Sequence, residues 1–492
     1  MIQIPLEKFG PIGLSLGCLL LTFSRGALIA FLGQVVLLTF LILRQKDSVQ
    51  TLHMPLRRIA AALFIGFIVF ISINEVRSSI HPVQPVMEKV TFTADEGYSS
   101  VNERTSFWMQ ASVLAVQKPV FGWGPYSFRF VQPRMQKNVL ATSDHPHNVF
   151  LKLAVERGLL AAILFGYILF LVLKPGVQLA LSGKRLSVAS DHARLGYALL
   201  VIAIAGVLAH NLIDYNLQFV GIALPLWLLM AVLLRHAGHR HASSKKYTWL
   251  TAKRKISIPV IIAVFLLLIA LREAYFLSTS SLGRHAEARN QPIEALHWYA
   301  VSSDEWFSRD LLLSKTHLLL NEGRIDEAEE TIRTFLVRNA EDSRGWKLLG
   351  EVLSAQGHIK LAIQAYEHAF ALGSWNDLGM SRGLLEQLFA ETYTQPTSDA
   401  AADSKRLTLD PRIQKIAPAI EERVLAFTSA IEKNTHFVAL SPNPEEAVKI
   451  LIMLSVLYEE NAEKYRELIL SIDRKATSER NRMSARPPGW LW

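Results

Sequence analysis

Seven apolar runs dominate the first 275 residues, at roughly 11–23, 27–43, 59–74, 149–173, 194–213, 219–234 and 256–275. Each approaches the ~20 apolar residues that carry an α-helix across a bilayer. The first two meet at Ser24-Arg25-Gly26, which reads equally as a tight turn between two short spans or as an interruption of one long helix. Past residue 276 the long runs give way to amphipathic helices rich in Glu, Arg and Lys. The pattern predicts an all-α chain: a polytopic helical membrane domain over residues 1–275, then an α-helical solenoid of tetratricopeptide type.

The solenoid reading rests on register. The stretch SRGWKLLGEVLSAQGHIKLAIQAYEHAFALGS places Trp346, Leu349, Gly350, Leu353, Ala362, Tyr366 and Ala369 at the spacings of one such repeat. Moving back by the period of about 34 residues brings Leu312, Lys315, Leu319, Gly323, Ala328, Ile332 and Phe335 into play. A weaker copy precedes it, with Ala295 and Tyr299 in register. Small residues at the Ala positions let paired helices approach, and the large ones fill the space between them. Repeats are expected over 276–376, a helical cap region over 377–475 and a disordered tail over 476–492.

Charge orients the membrane part, because Lys and Arg accumulate in cytoplasmic loops. Arg44, Lys46, Arg57 and Arg58 form one cluster, Lys174, Lys184 and Arg185 a second, and seven basic residues from Arg235 to Lys255 a third. These alternate with the apolar runs. The expectation is that Arg25, a large loop over 75–148, the turn near Asp214 and the whole C-terminal region lie outside. In that outer loop TADEGYSSVN reads as a mobile stretch, and ERTSFWMQASVLAVQ as a helix with Arg104, Trp108 and Ala111 on one face. Lys118-Pro119 and Gly122-Trp123-Gly124-Pro125 stop it.

Composition agrees with two unlike parts: 50% of residues are hydrophobic, yet 19% are charged and the formal net charge is +9. The basic residues cluster beside apolar runs, so a membrane flank accounts for them without a nucleic-acid partner. The single cysteine, Cys18, excludes an internal disulfide and a multi-cysteine metal site. The N-terminus lacks the basic region and small-residue cleavage site of a secretory signal, and its first apolar run reads as retained membrane structure.

Candidate chemistry sits in the outward loops. His145-Pro146-His147-Asn148 precedes an apolar helix; Asn148 suits an N-cap, and the histidines read either as loop polarity or as proton acceptors, since an imidazole ordinarily titrates near neutral pH. Arg25 and Arg104 read either as interfacial arginines that snorkel to headgroups or as guanidinium forks for phosphate oxygens. His210 and Asp214, spaced i,i+4, can meet in a structural hydrogen bond or orient a base, and two ligands are too few for a metal site. The run Arg235-His236-Ala237-Gly238-His239-Arg240-His241 has the look of a metal tract but suits a basic membrane flank better. There is no Gly-rich phosphate loop, carboxylate metal cage or nucleophile elbow.

Taken in order, these pieces resemble the O-antigen ligase-like superfamily of O-antigen ligases, polysaccharide polymerases and protein O-oligosaccharyltransferases. The resemblance covers roughly residues 12–234. It is carried by Ser24-Arg25-Gly26, Arg104 with Trp108, Pro119-Val120-Phe121-Gly122-Trp123-Gly124, His147-Asn148 ahead of Leu151, Glu156 and Gly158, and His210 to Asp214. An attached repeat domain is similar to an architecture found in that superfamily. Two departures stand out: several more spans usually precede the Ser-Arg-Gly element, pointing to a reduced domain or a fragment, and Ala161 stands where a second glycine often follows Gly158.

The resemblance implies transfer of an undecaprenyl-diphosphate-linked glycan to an acceptor hydroxyl at the bacterial inner membrane, on its periplasmic face, without cofactor or metal. His147 would be the base or acceptor-orienting group, Arg25 and Arg104 would hold the diphosphate, and His145, Asn148, His210 and Asp214 would support them. The acceptor is a glycan, lipid A-core or a protein; the partners are the lipid-linked donor, membrane lipids and a protein on the repeats, with no nucleic acid. A non-catalytic membrane scaffold whose repeats recruit partners is the alternative from another class. A transporter is disfavoured, because no ionisable residue lies deep within the apolar runs.

Overall fold

The computed structural model describes residues 9–22, 24–43, 49–80, 100–137, 139, 143–181, 188–241, 252–305, 310–373, 375–394, 411–433 and 443–484. They are helical, with no strand among the described residues. The chain divides into two compact units, Met1–Gly124 with His145–Lys245, and Pro125–Asp144 with Lys246–Trp492.

The first unit contains α1 (Phe9–Leu21), α2 (Arg25–Leu43), α3 (Val49–Ile80) and α4 (Ser100–Gln117). After the 125–144 insertion follow α5 (Val149–Arg157), α6 (Leu159–Leu181), α7 (Val188–His210) and α8 (Val220–His241). Ser24 therefore separates two helices, and Ser24 Oγ accepts a hydrogen bond from Ala27 N–H at 3.2 Å, capping α2. The two helices choose different partners: α1 packs along α3, whereas α2 packs on α7. Close approach of α1 and α3 uses the spacing Gly13-x-x-x-Gly17, where an added Cβ would stand 2.4 Å from Ile65 Cγ2 and 2.6 Å from Val69 Cγ1. Leu169, Val172, Tyr197, Ile204, Leu226, Met230 and Leu233 form the core joining α6, α7 and α8.

The described residues of the seven apolar runs lie mostly on helices. Among the described residues two helical segments are long and apolar enough to cross a membrane by length and composition, Leu159–Gln178 and Val260–Ala288; Arg25–Phe40, Gly196–His210 and Val220–Arg235 are shorter apolar stretches. One difference from the sequence pattern is physical: the run over 149–173 is not a single helix. Gly158 takes φ +91°, a conformation no helix contains, and splits off the nine-residue α5. Most of TADEGYSSVN lies outside the described residues, and Ser100 already opens α4.

In the second unit α9 (Ala252–Ala288) runs from the last apolar stretch straight into a helical hairpin with α10 (Pro292–Val301). The expected boundary at 275/276 thus falls inside one continuous helix. Two further hairpins follow, α11 (Leu311–Asn321) with α12 (Ile325–Arg338) and α13 (Ser343–Ala355) with α14 (Ile359–Leu372). Their turns share one geometry. Asn290, Gly323 and Gly357 take φ of 54°, 73° and 77°, and the next residue donates its N–H to a carbonyl five residues back: Gln291 to Ala286 at 3.0 Å, Arg324 to Leu319 and His358 to Leu353 both at 2.9 Å. This is the six-to-one bond of a Schellman cap. Ala295, Ala328 and Ala362, at intervals close to the ~34-residue period, are fully buried. Beyond them α15 (Leu378–Thr394), α16 (Pro411–Lys433), α17 (Asn443–Leu457) and α18 (Ala462–Ser484) close the core through Leu384, Leu388, Ile420, Phe427, Leu451 and Tyr465. α18 extends to Ser484, so residues 476–484 of the expected disordered tail are helical; residues 485–492 lie outside the described residues.

Candidate functional site

Asn148 organises the first part of the site. Its Oδ1 accepts from the backbone N–H groups of Phe150 (2.9 Å) and Leu151 (3.0 Å), which makes it the N-cap of α5. Its Nδ2 donates to Leu212 O at 2.9 Å, and Val149 N–H donates to Asn211 O at 3.0 Å. The loop before α5 is therefore bonded to the turn after α7. Asn211, fully buried, shapes that turn by donating to Val207 O at 2.9 Å and accepting from Leu217 N–H at 3.0 Å.

This pairing brings three ionisable side chains together. Asp214 Oδ1 lies 3.8 Å from His147 Nδ1, and Asp214 Oδ2 lies 3.7 Å from His210 Nε2. Asn216 Nδ2 sits 3.2 Å from His210 Nδ1 and has only protons to offer, so His210 turns its Nε2–H towards the carboxylate. Asp214 also accepts from Tyr215 N–H at 2.8 Å. Burial alone would raise the Asp214 carboxyl; the His147 contact, the Tyr215 amide and the two imidazoles outweigh it and hold the group below the ordinary carboxylate range. His147 is itself held in an uncommon backbone conformation, φ 49°, of the kind that concentrates at functional sites. Its Nδ1 is buried without a hydrogen bond of normal length.

Aromatic walls fix the imidazole. Phe107 stacks on His147 at 6.3 Å between centroids, and Tyr215 meets it edge-on at 5.0 Å. Trp108 Nε1 donates to His147 O at 3.3 Å, tying α4 to the histidine loop. Arg104 stands one turn before Trp108 on that helix. His145 is buried and differently employed: Lys152 Nζ, 2.9 Å away, occupies its Nδ1, and Lys152 also donates to Gln218 at 3.1 Å.

Arg25 opens α2 beside Gly26. A Cβ on Gly26 would be 2.6 Å from Ile213 Cδ1 and 3.5 Å from His210 Cδ2, so the Ser-Arg-Gly element abuts the turn that carries His210 and Asp214. A second interlock fixes the end of α4. Trp123 N–H donates to Val155 O at 2.8 Å, Gly124 N–H to Glu156 O at 3.1 Å, and Leu159 N–H to Pro119 O at 2.7 Å. Gly122, φ +67°, and Gly158, φ +91°, lie where each backbone presses on the other.

Residues 11–166 match the family model for O-antigen ligase. No curated protein matches the chain. The O-antigen ligase match covers about a third of the chain and takes in Arg25, Arg104, His147, Asn148 and the Gly122 to Gly158 interlock; His210 and Asp214 stand beyond it. That family is one of membrane proteins, in agreement with the two candidate spans, and the match supports a glycan transferase of ligase or polymerase type with a lipid-linked glycan and an acceptor as substrates.

The structure thus joins His147, His210, Asp214, Asn148 and the Arg25-Gly26 element locally, and connects Arg104 through Trp108. The sequence pattern paired His210 with Asp214 but left His147 apart from them. It also missed Phe107, Tyr215, Lys152 and Asn211. Tyr215 and Asn211 flank the two singled-out residues of the turn, which was the available signal; nothing in the local sequence marks Phe107 or Lys152. No group of three or more His, Cys, Asp or Glu side chains suited to a metal ion occurs among the described residues.

Proposed function

We propose that the protein transfers a glycan from an undecaprenyl-diphosphate carrier to an acceptor hydroxyl on the extracytoplasmic face of the bacterial inner membrane. The observation that carries this reading is the meeting of His147 with His210 through Asp214, beside Gly26 of the Ser-Arg-Gly element. In the reaction the acceptor oxygen forms a bond to the anomeric carbon, the bond from that carbon to the diphosphate oxygen breaks, and the lipid diphosphate leaves with the electron pair. The hydroxyl proton passes to His147. With an Nδ1–H directed at Asp214, Nε2 is the nitrogen that accepts it, and the carboxylate stabilises the imidazolium that forms. The 3.8 Å separation is long for a hydrogen bond and would shorten as charge develops, as catalytic contacts commonly do on substrate binding.

Arg25 and Arg104 serve the other half of the reaction. A diphosphate leaves readily once its charge is balanced, and a guanidinium balances it with a bidentate fork that needs no metal. The C-terminal hairpins, read as tetratricopeptide-type repeats, would be extracytoplasmic by the charge pattern of the loops. The test is single replacement of His147 and of Arg104 by Ala, with surface glycan and membrane insertion both measured. Loss of glycan with normal insertion supports the reading; wild-type glycan in both variants removes it and favours the scaffold. The class of acceptor is read from what builds up on gene deletion: polymer on the carrier for a ligase, single repeat units for a polymerase, unmodified protein for protein glycosylation.

A further inference from the structure

The segment that separates Gly124 from His145 in sequence belongs to the C-terminal unit, and its contacts have the character of a bound peptide. Phe128, Phe130 and Val131 of its short helix are buried, as are Ser127, Gln132 and Gln136. Val139 packs against the hydrophobic core that α12 to α18 build. The charges are complementary. Arg129 Nη2 reaches both oxygens of Asp310 at 2.6 Å, and Arg134 Nη1 reaches Glu341 Oε2 at 2.8 Å. Arg344, itself held by Asp310 at 3.0 Å and Asp342 at 2.8 Å, lies over the Phe130 ring at 4.9 Å. The partners come from three places along the array, the start of α11, the α12–α13 turn and the first turn of α13.

We propose that the helical array is an intramolecular receptor for the segment Pro125–Lys137 and acts as a positioning device for the glycan-transfer site. This extends the function proposed above and rests on it. The segment begins at the residue after Gly124, which is bonded to Glu156, and it leads through Asp144 into His145 and His147. Docking it tethers, through the covalent chain, the stretch between the Arg104 helix and the His147 loop. The array surface that a tetratricopeptide-type domain would offer to a foreign Arg-Phe peptide is, around Asp310, Glu341 and Arg344, taken by the chain itself.

The test is amide hydrogen exchange on the full-length protein in membranes, reading residues 127–136 for docking and 343–355 for the fold of the array. Three variants are compared: Asp310→Arg, the segment-only change Arg129→Glu with Arg134→Glu, and the swap Asp310→Arg with Arg129→Asp. Docking predicts that exchange of 127–136 accelerates at least about tenfold in the first two, from like charges set face to face, and returns towards wild type in the swap. The 343–355 peptide should stay protected throughout. Unchanged exchange of 127–136 in the segment-only variant, or no recovery in the swap, overturns the docking. The positioning role predicts that surface glycan falls and recovers with exchange; released segment with wild-type glycan overturns that role. Failure of the transferase reading is separately visible, since His147→Ala would then leave glycan intact while the docking results still hold.

Discussion

Replacing Gly158 by Ala should uncouple the histidine loop from the end of the Arg104 helix. At φ +91° an L-residue is strained, and its Cβ would stand 2.1 Å from Val120 O and 2.5 Å from Val120 C. Those are backbone atoms of the opposing turn and cannot rotate aside as a side-chain tip would. The strain of a glycine-only conformation is about 1–3 kcal/mol. Relief requires opening the 2.7 Å bond from Leu159 N–H to Pro119 O, a further ~1 kcal/mol. The total, about 2–4 kcal/mol, is a large part of a typical stability of ~5–15 kcal/mol. Gly166 is the matched control: it lies in α6 with nothing within 4 Å of an added Cβ, and Ala there should be neutral or stabilising by up to ~1 kcal/mol. Thermal unfolding of the two detergent-purified variants, with surface glycan measured in parallel, makes the comparison. Equal midpoints for Gly158→Ala and Gly166→Ala would refute the interlock.

Asn148→Ala removes an N-cap and the bond to Leu212 O, and should cost about 1–2 kcal/mol in the same unfolding assay, with Asn148→Asp milder because it still caps. Trp108→Phe keeps an aromatic ring but loses the donor to His147 O; glycan yield should drop while insertion is retained, and an unchanged yield would remove Trp108 from the site's support. Asp310 is pushed up by burial but pulled below its ordinary value by Arg344 and Arg129. A carboxyl depressed in the folded state contributes stability that is present above its unfolded pKa and lost as pH falls through the folded one. Protection of residues 127–136, their exchange relative to the intrinsic rate at each pH, should therefore be high at neutral pH and fall as pH drops below the ordinary Asp range, a fall that is smaller in Asp310→Asn.

What could be read from the chain depended on how local the cause was. Asn148 was legible as a cap because its partners are the next two or three amides. The Ala295, Ala328 and Ala362 register was legible because the hairpins recur, and identical turns at Asn290, Gly323 and Gly357 follow from it. Gly158 stood inside an apolar run and belonged to the family-like pattern; only the approach of Val120, distant in sequence, explains why the helix must break there. Likewise the motif Pro119 to Gly124 could be quoted as a pattern, but its bonds to Val155, Glu156 and Leu159 are not local. The longest gap was Arg129 with Asp310: two unremarkable charges far apart along the chain, whose pairing assigns the segment after Gly124 to the helical array.

In the proposed reaction His147, oriented beside Asp214, takes the acceptor proton. Membranes carrying wild-type or His147→Ala protein, supplied with lipid-linked glycan donor and scored for both acceptor-bound glycan and donor remaining, test it most directly. His147→Ala should insert normally, yield acceptor-bound glycan at background and leave the donor to accumulate. Wild-type transfer by that variant would contradict it.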